Sequence, residues 1–257
     1  KSNLKAGEPV ASALYGAGYG SPSRLYEKTP RHLGMTPASY AKGGRGARIA
    51  FAVVACPLGR LLVAATDRGL SFIGFGEAAA ALCEGLVSEG AEGISAFDIR
   101  PRPAGEGVAF TPSLEDLLRG SDIVFAAVTS RVALRVAQEA RPNLTDRHIY
   151  VDINSVSPET KIQIGKAVAS AGARYVEAAV MAGVPAYKHK VPMLLAGEAA
   201  PELIAIMAPL GMVMEDFGPE LGRAAAAKMF RSVIIKGMEA LFQECVLAAE
   251  RYGVSKR

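Results

Sequence analysis

The chain has 257 residues, of which 50% are hydrophobic and 21% are charged, as is typical of a soluble globular protein. It has no apolar run near the roughly 20 residues of a membrane span and no apolar core at its start, which argues against a membrane protein and a signal peptide. The formal net charge of +4 is unevenly divided, because residues 1–69 hold ten Lys/Arg and three Asp/Glu, whereas residues 70–257 hold nineteen and twenty-two.

The basic segment at residues 1–45 predicts two short helices around a glycine-rich turn. Residues 9–15 favour the first helix, glycines break it, and Ser21-Pro22 is typical of a second helix start. A second helix with basic side chains facing DNA phosphates has the form of a helix-turn-helix. The alternative is an ordinary pair of solvated basic helices. Residues 46–69 are predicted to form a β-hairpin and linker.

The number and spacing of the cysteines indicate the cellular compartment to expect. Cys56, Cys83 and Cys245 are far apart and odd in number, which suits a reducing cytoplasm better than a disulfide framework. None has metal-ligand spacing with a histidine. We therefore predict a cytoplasmic protein without a metal site.

A dinucleotide-binding fingerprint follows near residue 70. Residues 70–73 form an apolar strand, and a helix is predicted at 78–88. The small residues between them have mechanical roles, since Gly74 permits a tight turn, Gly76 lets the backbone approach a pyrophosphate and Ala79 allows close packing. The helix N-terminus favours the phosphate charge. The predicted cofactor-binding residues here are Gly74, Phe75, Gly76, Glu77, Ala78 and Ala79.

The acidic residue of this pattern is Asp98. It ends the next predicted strand, at residues 93–97, and lies 24 residues after Gly74, where a carboxylate would accept hydrogen bonds from ribose hydroxyls. Asp98 favours NAD because it would repel a 2′-phosphate, whereas Arg100 and Arg102 could clamp that phosphate. NAD and NADP both remain open at this point. The alternative is an ordinary strand–turn–helix with a solvated aspartate.

Strand-like and helical patterns then alternate. Strands are predicted at residues 122–128, 148–153, 175–179 and 191–195, and helices at 114–118, 132–140 and 158–171. This α/β alternation predicts a doubly wound, mostly parallel Rossmann sheet at residues 70–218. Ligands of such sheets lie at the carboxyl ends of the strands. One crevice should therefore be formed by Val128, Thr129, Ser130, Asn154, Ser155, Met181, Ala182 and Gly183.

Residues 219–257 are predicted to start a C-terminal helical region. Lys228 lies in a stripe of apolar and small residues, where a lysine is costly unless it is paired, functional or extended towards water. An exposed apolar face on this helix would favour a homodimer.

Four motifs of the body resemble the β-hydroxyacid dehydrogenase family, which includes 3-hydroxyisobutyrate and 6-phosphogluconate dehydrogenases. They are FIGFGEAA, DINSVSP, EAAVMAGVP and GRAAAAKMFRS, in the family's order and spanning residues 70–257. The resemblance is greatest to its 6-phosphogluconate-dehydrogenase-like NAD-binding proteins. It implies hydride transfer between NAD or NADP and a small hydroxy acid. It also implies that the helical region is shortened here.

The resemblance assigns site residues by position. Lys228 falls on the catalytic lysine, and the substrate-binding positions are Asn154, Ser155, Met181, Ala182, Gly183 and Arg231. Val128, Thr129, Ser130 and Arg100 complete the predicted cofactor site. Arg231 lies where the family has an asparagine. Together with Lys188, His189 and Lys190 it suits an anionic or bulkier substrate.

Residues 8–69 resemble part of the AraC-type and Ada-type regulators. GAGYGSPSRLYEKTPRHLGMTPASY is similar to an AraC-type helix-turn-helix, which implies DNA binding by residues 1–45. The methyl-accepting Pro-Cys-His-Arg motif of Ada is absent, and Cys56 does not replace it. Two alternatives to a working dehydrogenase remain. One is a DNA-binding regulatory fragment with a dinucleotide-sensing body, and the other is a catalytically incomplete chimaera.

Overall fold

The computed structural model describes residues 49–56, 59–66, 69–100 and 107–254. The chain divides into two units, Lys1–Arg68 and Gly69–Arg257. The predicted helix-turn-helix at residues 1–45 lies outside the described residues. In the first unit, strands β1 (Ile49–Cys56) and β2 (Gly59–Thr66) pair antiparallel, with Cys56 opposite Gly59.

The second unit is built from alternating strands and helices. Its strands are β3 (Leu70–Ile73), β4 (Ile94–Phe97), β5 (Val108–Phe110), β6 (Ile123–Ala126), β7 (Ile149–Asp152), β8 (Arg174–Val180), β9 (Met193–Ala196) and β10 (Met214–Asp216). Its α-helices are α1 (Glu77–Ser88), α2 (Leu114–Arg119), α3 (Ala133–Ala140), α4 (Pro158–Ala169), α5 (Val184–Tyr187), α6 (Ala200–Met207) and α7 (Arg223–Arg251). Short 3₁₀ turns follow α3, α5 and α6.

The eight strands of this unit form one sheet in the order β10-β9-β8-β7-β6-β3-β4-β5. Every pairing is parallel except that of β8 with β9, which is antiparallel. The chain runs from β3 outward to β5 and returns to β6 on the other side of β3. Strand order therefore reverses between β3 and β6, and a crevice opens at the carboxyl ends of strands at such a reversal.

Two apolar layers cover the two faces of the sheet. One cluster joins sheet residues such as Phe72 and Phe125, which stack at 5.3 Å, to α1 and α6. The other joins the alternate residues, such as Val124 and Tyr150, to α2, α3 and α4. Successive side chains of a strand point to opposite faces, so strands covered on both faces are apolar throughout. The apolar runs in the sequence have this cause.

The predicted doubly wound, mostly parallel sheet is confirmed, and several element bounds differ from those predicted. The strand predicted at residues 122–128 ends at Ala126, because the N–H of Val128 donates to the Asn154 side chain instead of to a strand. The patterns did not predict β5 and β10, which have three residues each and show no clear alternation. The long helix begins at Arg223, after a left-handed residue at Gly222 (φ 91°). Within the described residues, none of the helices combines the length and the hydropathy that a membrane span requires.

Candidate active site

The turn after β3 requires glycine at one position and leaves open space at another. Gly74 has φ 84°, and a Cβ there would lie 2.5 Å from the carbonyl oxygen of Ala127. At Gly76, in contrast, a Cβ would meet nothing within 4 Å. Helix α1 begins directly after Gly76, and no side chain caps it. Its first N–H groups face an open approach, which fits the pyrophosphate of a dinucleotide.

Asp98 lies beside this turn, directly after β4. Its Oδ2 accepts a hydrogen bond from the N–H of Phe75 at 2.7 Å, and its Oδ1 accepts one from the N–H of Arg100 at 2.8 Å. The carboxylate therefore ties the fingerprint turn to the loop after β4. Each carboxylate oxygen has a further lone pair, so the position also suits a ribose hydroxyl. Arg100 is exposed, and Arg102 lies outside the described residues.

The next two strand ends are joined by Asn154. Its Oδ1 accepts from the N–H of Val128 at 2.7 Å, and its Nδ2 donates to Asp152 at 2.6 Å. The predicted substrate-binding residue Asn154 is buried, and both ends of its amide have protein partners. Its side chain therefore fixes the loop of Val128, Thr129 and Ser130 against the end of β7.

A buried ionic cluster lies at the carboxyl end of β7, and the patterns in the sequence did not predict it. Lys161 of α4 is 1% exposed, and its Nζ donates to the backbone oxygen of Asp152 at 2.7 Å and lies 3.2 Å from Oδ2. The hydroxyl of Tyr175 donates to the same Oδ2 at 2.9 Å. Burial lowers the pKa of Lys161, and the Asp152 carboxylate opposes this shift. From the sequence alone, a lysine in a helix is expected to be exposed to solvent. Only the tertiary structure shows that Lys161 is buried and paired with Asp152.

Glu177 is a second buried acid with a structural role. It lies in the middle of β8 with no exposed surface, and its carboxylate accepts hydrogen bonds of 2.5 Å from the N–H groups of Gly222 and Ala225. These N–H groups belong to the start of α7, which has no other side-chain cap. In the sequence, the signal for this contact is a charged residue, Glu177, flanked by apolar residues within its strand. Its partners, the N–H groups at the start of α7, can be identified only from the structure.

Lys228 lies one turn beyond this cap. Its Nζ donates to the hydroxyl of Ser155 at 2.9 Å, so the structure brings together the predicted catalytic lysine and one predicted substrate ligand. Burial lowers the pKa of Lys228, and the positive charges of Lys161 and Arg231 lower it further. Lys228 and Ser155 both line a cavity of about 890 Å³ between the carboxyl edge of the sheet and α7. Ser130, Asn154 and Lys161 also line it.

The substrate-loop residues after β8 are dispersed. Met181 lines a smaller cavity of about 170 Å³ with Lys228 and Arg231, and the Arg231 guanidinium donates to the Met181 oxygen at 2.6 Å. Ala182 and Gly183 line neither of these two cavities, and Gly183 begins α5. The loop therefore contributes one backbone contact to the arrangement around Lys228.

The basic residues after that loop do not face these cavities, contrary to prediction. The Nζ of Lys188 lies 2.7 Å from the Glu84 carboxylate, and that of Lys190 lies 2.7 Å from Glu89. His189 is buried against Gly85 of α1, where a Cβ would lie 2.0 Å from its Nδ1. Glu84 of α1 and Glu89, which directly follows α1, therefore hold the two lysines by ion pairs.

Comparison with known proteins agrees with this geometry. Residues 69–155 match the family model of NADP oxidoreductases described as coenzyme F420-dependent. An uncharacterised 28.5 kDa protein of Methanothermus fervidus is 31% identical over 190 residues, 72% of each chain. A conserved protein of unknown function, solved and reported as structurally similar to 3-hydroxyacid dehydrogenases, is 35% identical with a TM-score of 0.62, over 72% of this chain and 71% of that chain. The chain belongs to the β-hydroxyacid dehydrogenase family.

Two further solved structures are similar to this chain. A conserved hypothetical protein from Sinorhizobium meliloti 1021 is 39% identical, with a TM-score of 0.64 over 73% of this chain and 66% of that one. An imine reductase from Myxococcus stipitatus, solved with NAD⁺, shares the fold at 20% identity and a TM-score of 0.66. The body of this β-hydroxyacid dehydrogenase relative thus has the NAD(P)-binding oxidoreductase fold.

The resemblance to Ada is also shown. The bifunctional transcriptional activator and DNA repair enzyme Ada of Escherichia coli K12 is 35% identical over 86 residues, which are 34% of this chain and 24% of Ada. The match spans about a quarter of that protein. The chain therefore combines a piece similar to Ada with a dehydrogenase-like body.

We predict that Lys161→Met destabilises the body because it leaves the Asp152 carboxylate buried without its cation. Removing one partner of a buried pair costs about 3–5 kcal/mol. Lys166→Met, on the exposed side of the same helix, is the matched control and should change the free energy of unfolding by less than about 0.5 kcal/mol. Urea unfolding of both variants measures the difference. Equal effects would show that the buried pair has no special role.

Proposed function

We propose that the chain is an NAD(P)-dependent oxidoreductase that transfers a hydride between a nicotinamide cofactor and a small anionic hydroxy acid. The observation that supports this most directly is the hydrogen bond of 2.9 Å from Lys228 to Ser155 at a cavity beside the carboxyl ends of the strands. A proton-donating lysine and a hydroxyl group at that edge suit a substrate oxygen next to a bound dinucleotide.

The proposed cofactor site follows the ends of β4, β3 and β6. The first turn of α1 would bind the pyrophosphate and Asp98 the adenosine ribose, while Ser130 lines the cavity. A bound nicotinamide supplies or accepts the hydride. The Asp98 carboxylate favours NAD, since it would repel a 2′-phosphate. Arg100 is the nearby residue that would favour NADP.

In this proposal Lys228 handles the proton of the reacting oxygen. During reduction its ammonium group donates a proton to that oxygen, and during oxidation its neutral amine accepts the hydroxyl proton. Ser155 holds the lysine Nζ in place and presents a hydroxyl to the substrate. Arg231, which lines the smaller cavity beside Met181, supplies positive charge for a carboxylate.

Replacement of Lys228 tests this role. We predict that Lys228→Met lowers kcat by about 100-fold or more, because general acid–base catalysis contributes that much, while the Kd of the cofactor stays nearly constant. Steady-state kinetics with a hydroxy acid found by screening, and nicotinamide fluorescence, measure the two quantities. An unchanged kcat would remove Lys228 from the mechanism.

The same role predicts a pH profile. Oxidation needs the neutral amine of Lys228, so the oxidation rate should rise with pH and level off above the pKa of Lys228. Because that pKa is lowered, the rise should occur below the usual pKa of a lysine. The reduction rate should fall over the same pH range. Arg231→Met removes a neighbouring positive charge and should raise the pKa of Lys228 and move the profile to higher pH. A profile that does not move would contradict this electrostatic coupling.

The variant Gly76→Asp separately tests the proposed binding of the dinucleotide cofactor. Gly76 has φ −79° and open space around its Cβ position, so the new side chain fits the fold but places a negative charge at the pyrophosphate. We predict loss of saturable NADH and NADPH binding in a fluorescence titration. Gly237→Asp, the same change at an open position of α7, should bind like the parent chain. A folded parent that binds neither nucleotide would refute the oxidoreductase proposal.

A homodimer and a cytoplasmic location belong to this proposal. Large apolar side chains of α7 are exposed, including Phe230 and Val233 at 72% each, and a second copy would bury them. The three widely spaced cysteines support a reducing compartment.

A second candidate function is DNA binding by residues 1–45. It is supported by the similarity to Ada and by the excess of basic residues in the first 69 positions. We predict that the full chain is retained on DNA at low salt, and that Arg24→Gln with Lys28→Gln lowers the slope of log K against log salt concentration by about 2. Lys166→Gln in the other unit is the control and should leave the slope unchanged. Retention that does not depend on salt would exclude phosphate contacts.

A further inference from the structure

The two cavities next to α7 share a pair of lysines. Lys228 and Lys236 line both the cavity of about 890 Å³ and the smaller one of about 170 Å³. No Asp or Glu is among the described residues that line either cavity. Glu239 lies one helical turn beyond Lys236 and lines neither of them. The cavity walls therefore carry uncompensated positive charge.

Helix geometry places the second lysine at a defined distance from the first. Residues 228, 232 and 236 are spaced by four, so each is rotated by about 40° from the one before it, and the three cover one side of the helix. The α-carbons of Lys228 and Lys236 are about 12 Å apart along the helix axis. Ser232 lies between them and also lines both cavities, and its hydroxyl donates to the backbone oxygen of Lys228 at 2.8 Å. A ligand that contacts Lys228 with one end can thus reach Lys236 with the other.

The charges of these side chains are not neutralised by the protein. Lys228 donates to the neutral Ser155 hydroxyl, and Arg231 donates to a neutral backbone carbonyl. The structure pairs Lys161 with Asp152, so this third lysine adds little net charge. No ion pair joins Lys236 to an acid within the described part of the chain. An anionic ligand would supply the missing negative charge, since charges of one sign in a cleft concentrate the opposite sign.

We propose that Lys236 determines specificity by binding a second anionic group of the substrate, at the end remote from the reacting hydroxyl. The substrate class is then a hydroxy acid with two anionic groups rather than one. This inference rests on the proposed function for the reacting end. Its own support is the position of Lys236 at both cavities, and the lack of an ion pair between Lys236 and any acid in the described part of the chain.

The test compares two five-carbon ligands that differ in one carboxylate. Glutarate has two and pentanoate has one, and calorimetry with the full chain measures both without any need for turnover. We expect the parent to bind glutarate more tightly than pentanoate, and Lys236→Gln to weaken glutarate binding by about fivefold, as expected for loss of one partly exposed ion pair. Pentanoate binding should be unchanged in this variant. The preference for glutarate should also decrease with added salt.

The control is Arg251→Gln, which removes one positive charge from the far end of the same helix. It should keep the parent preference for glutarate. Equal glutarate affinity in Lys236→Gln and the parent, or a parent without any preference, would overturn the inference. NADH titration of the same samples separates the two proposals. A parent chain that binds NADH but does not prefer glutarate refutes the role of Lys236 alone, whereas a parent chain that does not bind NADH refutes the oxidoreductase proposal.

Discussion

The buried carboxylate of Glu177 fixes the start of α7, the helix that carries Lys228 of the candidate active site. Glu177 lies in the middle of a buried strand, and its two oxygens accept hydrogen bonds from the N-terminal N–H groups at Gly222 and Ala225. Helix α7 has 29 residues, yet most of its large apolar side chains beyond the first turns are exposed. Packing therefore constrains its direction only near its start, and the cap provides the strongest local restraint. A buried charge is tolerated there because the N-terminal end of a helix carries partial positive charge.

The position of Lys228 follows from that restraint. It lies within the first two turns of α7, so the direction of the helix at Glu177 decides which strand end its Nζ can reach. A second set of buried bonds fixes that strand end, because Asp152 accepts from Lys161, Tyr175 and Asn154. Asn154 continues this chain of contacts to Val128 in the dinucleotide loop. Asp152 and Asn154 thus hold the loop after β6 against the end of β7, while Glu177 holds the start of the helix that carries Lys228.

Acidic and basic residues have separate roles in this arrangement. The buried acids accept hydrogen bonds from the protein itself, and Glu84 of α1 and Glu89, directly after α1, pair with Lys188 and Lys190. Lys228 and Arg231 of α7 instead contact neutral oxygen atoms, so their positive charge remains for a ligand. Burial lowers the pKa of Lys228, and the nearby positive charges of Lys161 and Arg231 lower it further. The same charges that suit an anionic substrate therefore also bring the lysine closer to neutrality.

Local patterns in the sequence were sufficient to predict the alternating sheet, the turn at Gly74 and Gly76, and the candidate lysine. Each depends on a short-range rule, namely apolar periodicity, glycine geometry or a motif of adjacent residues. Other features needed the tertiary structure, because they join residues far apart in the chain. Glu177 meets Gly222 only when β8 lies beside α7, and Lys161 appears solvated until α4 packs against β7. The sequence by itself determined the type of fold and where its loops should gather. Long-range packing decided which charges are neutralised inside the protein and which, as at Lys228 and Lys236, remain available to a ligand.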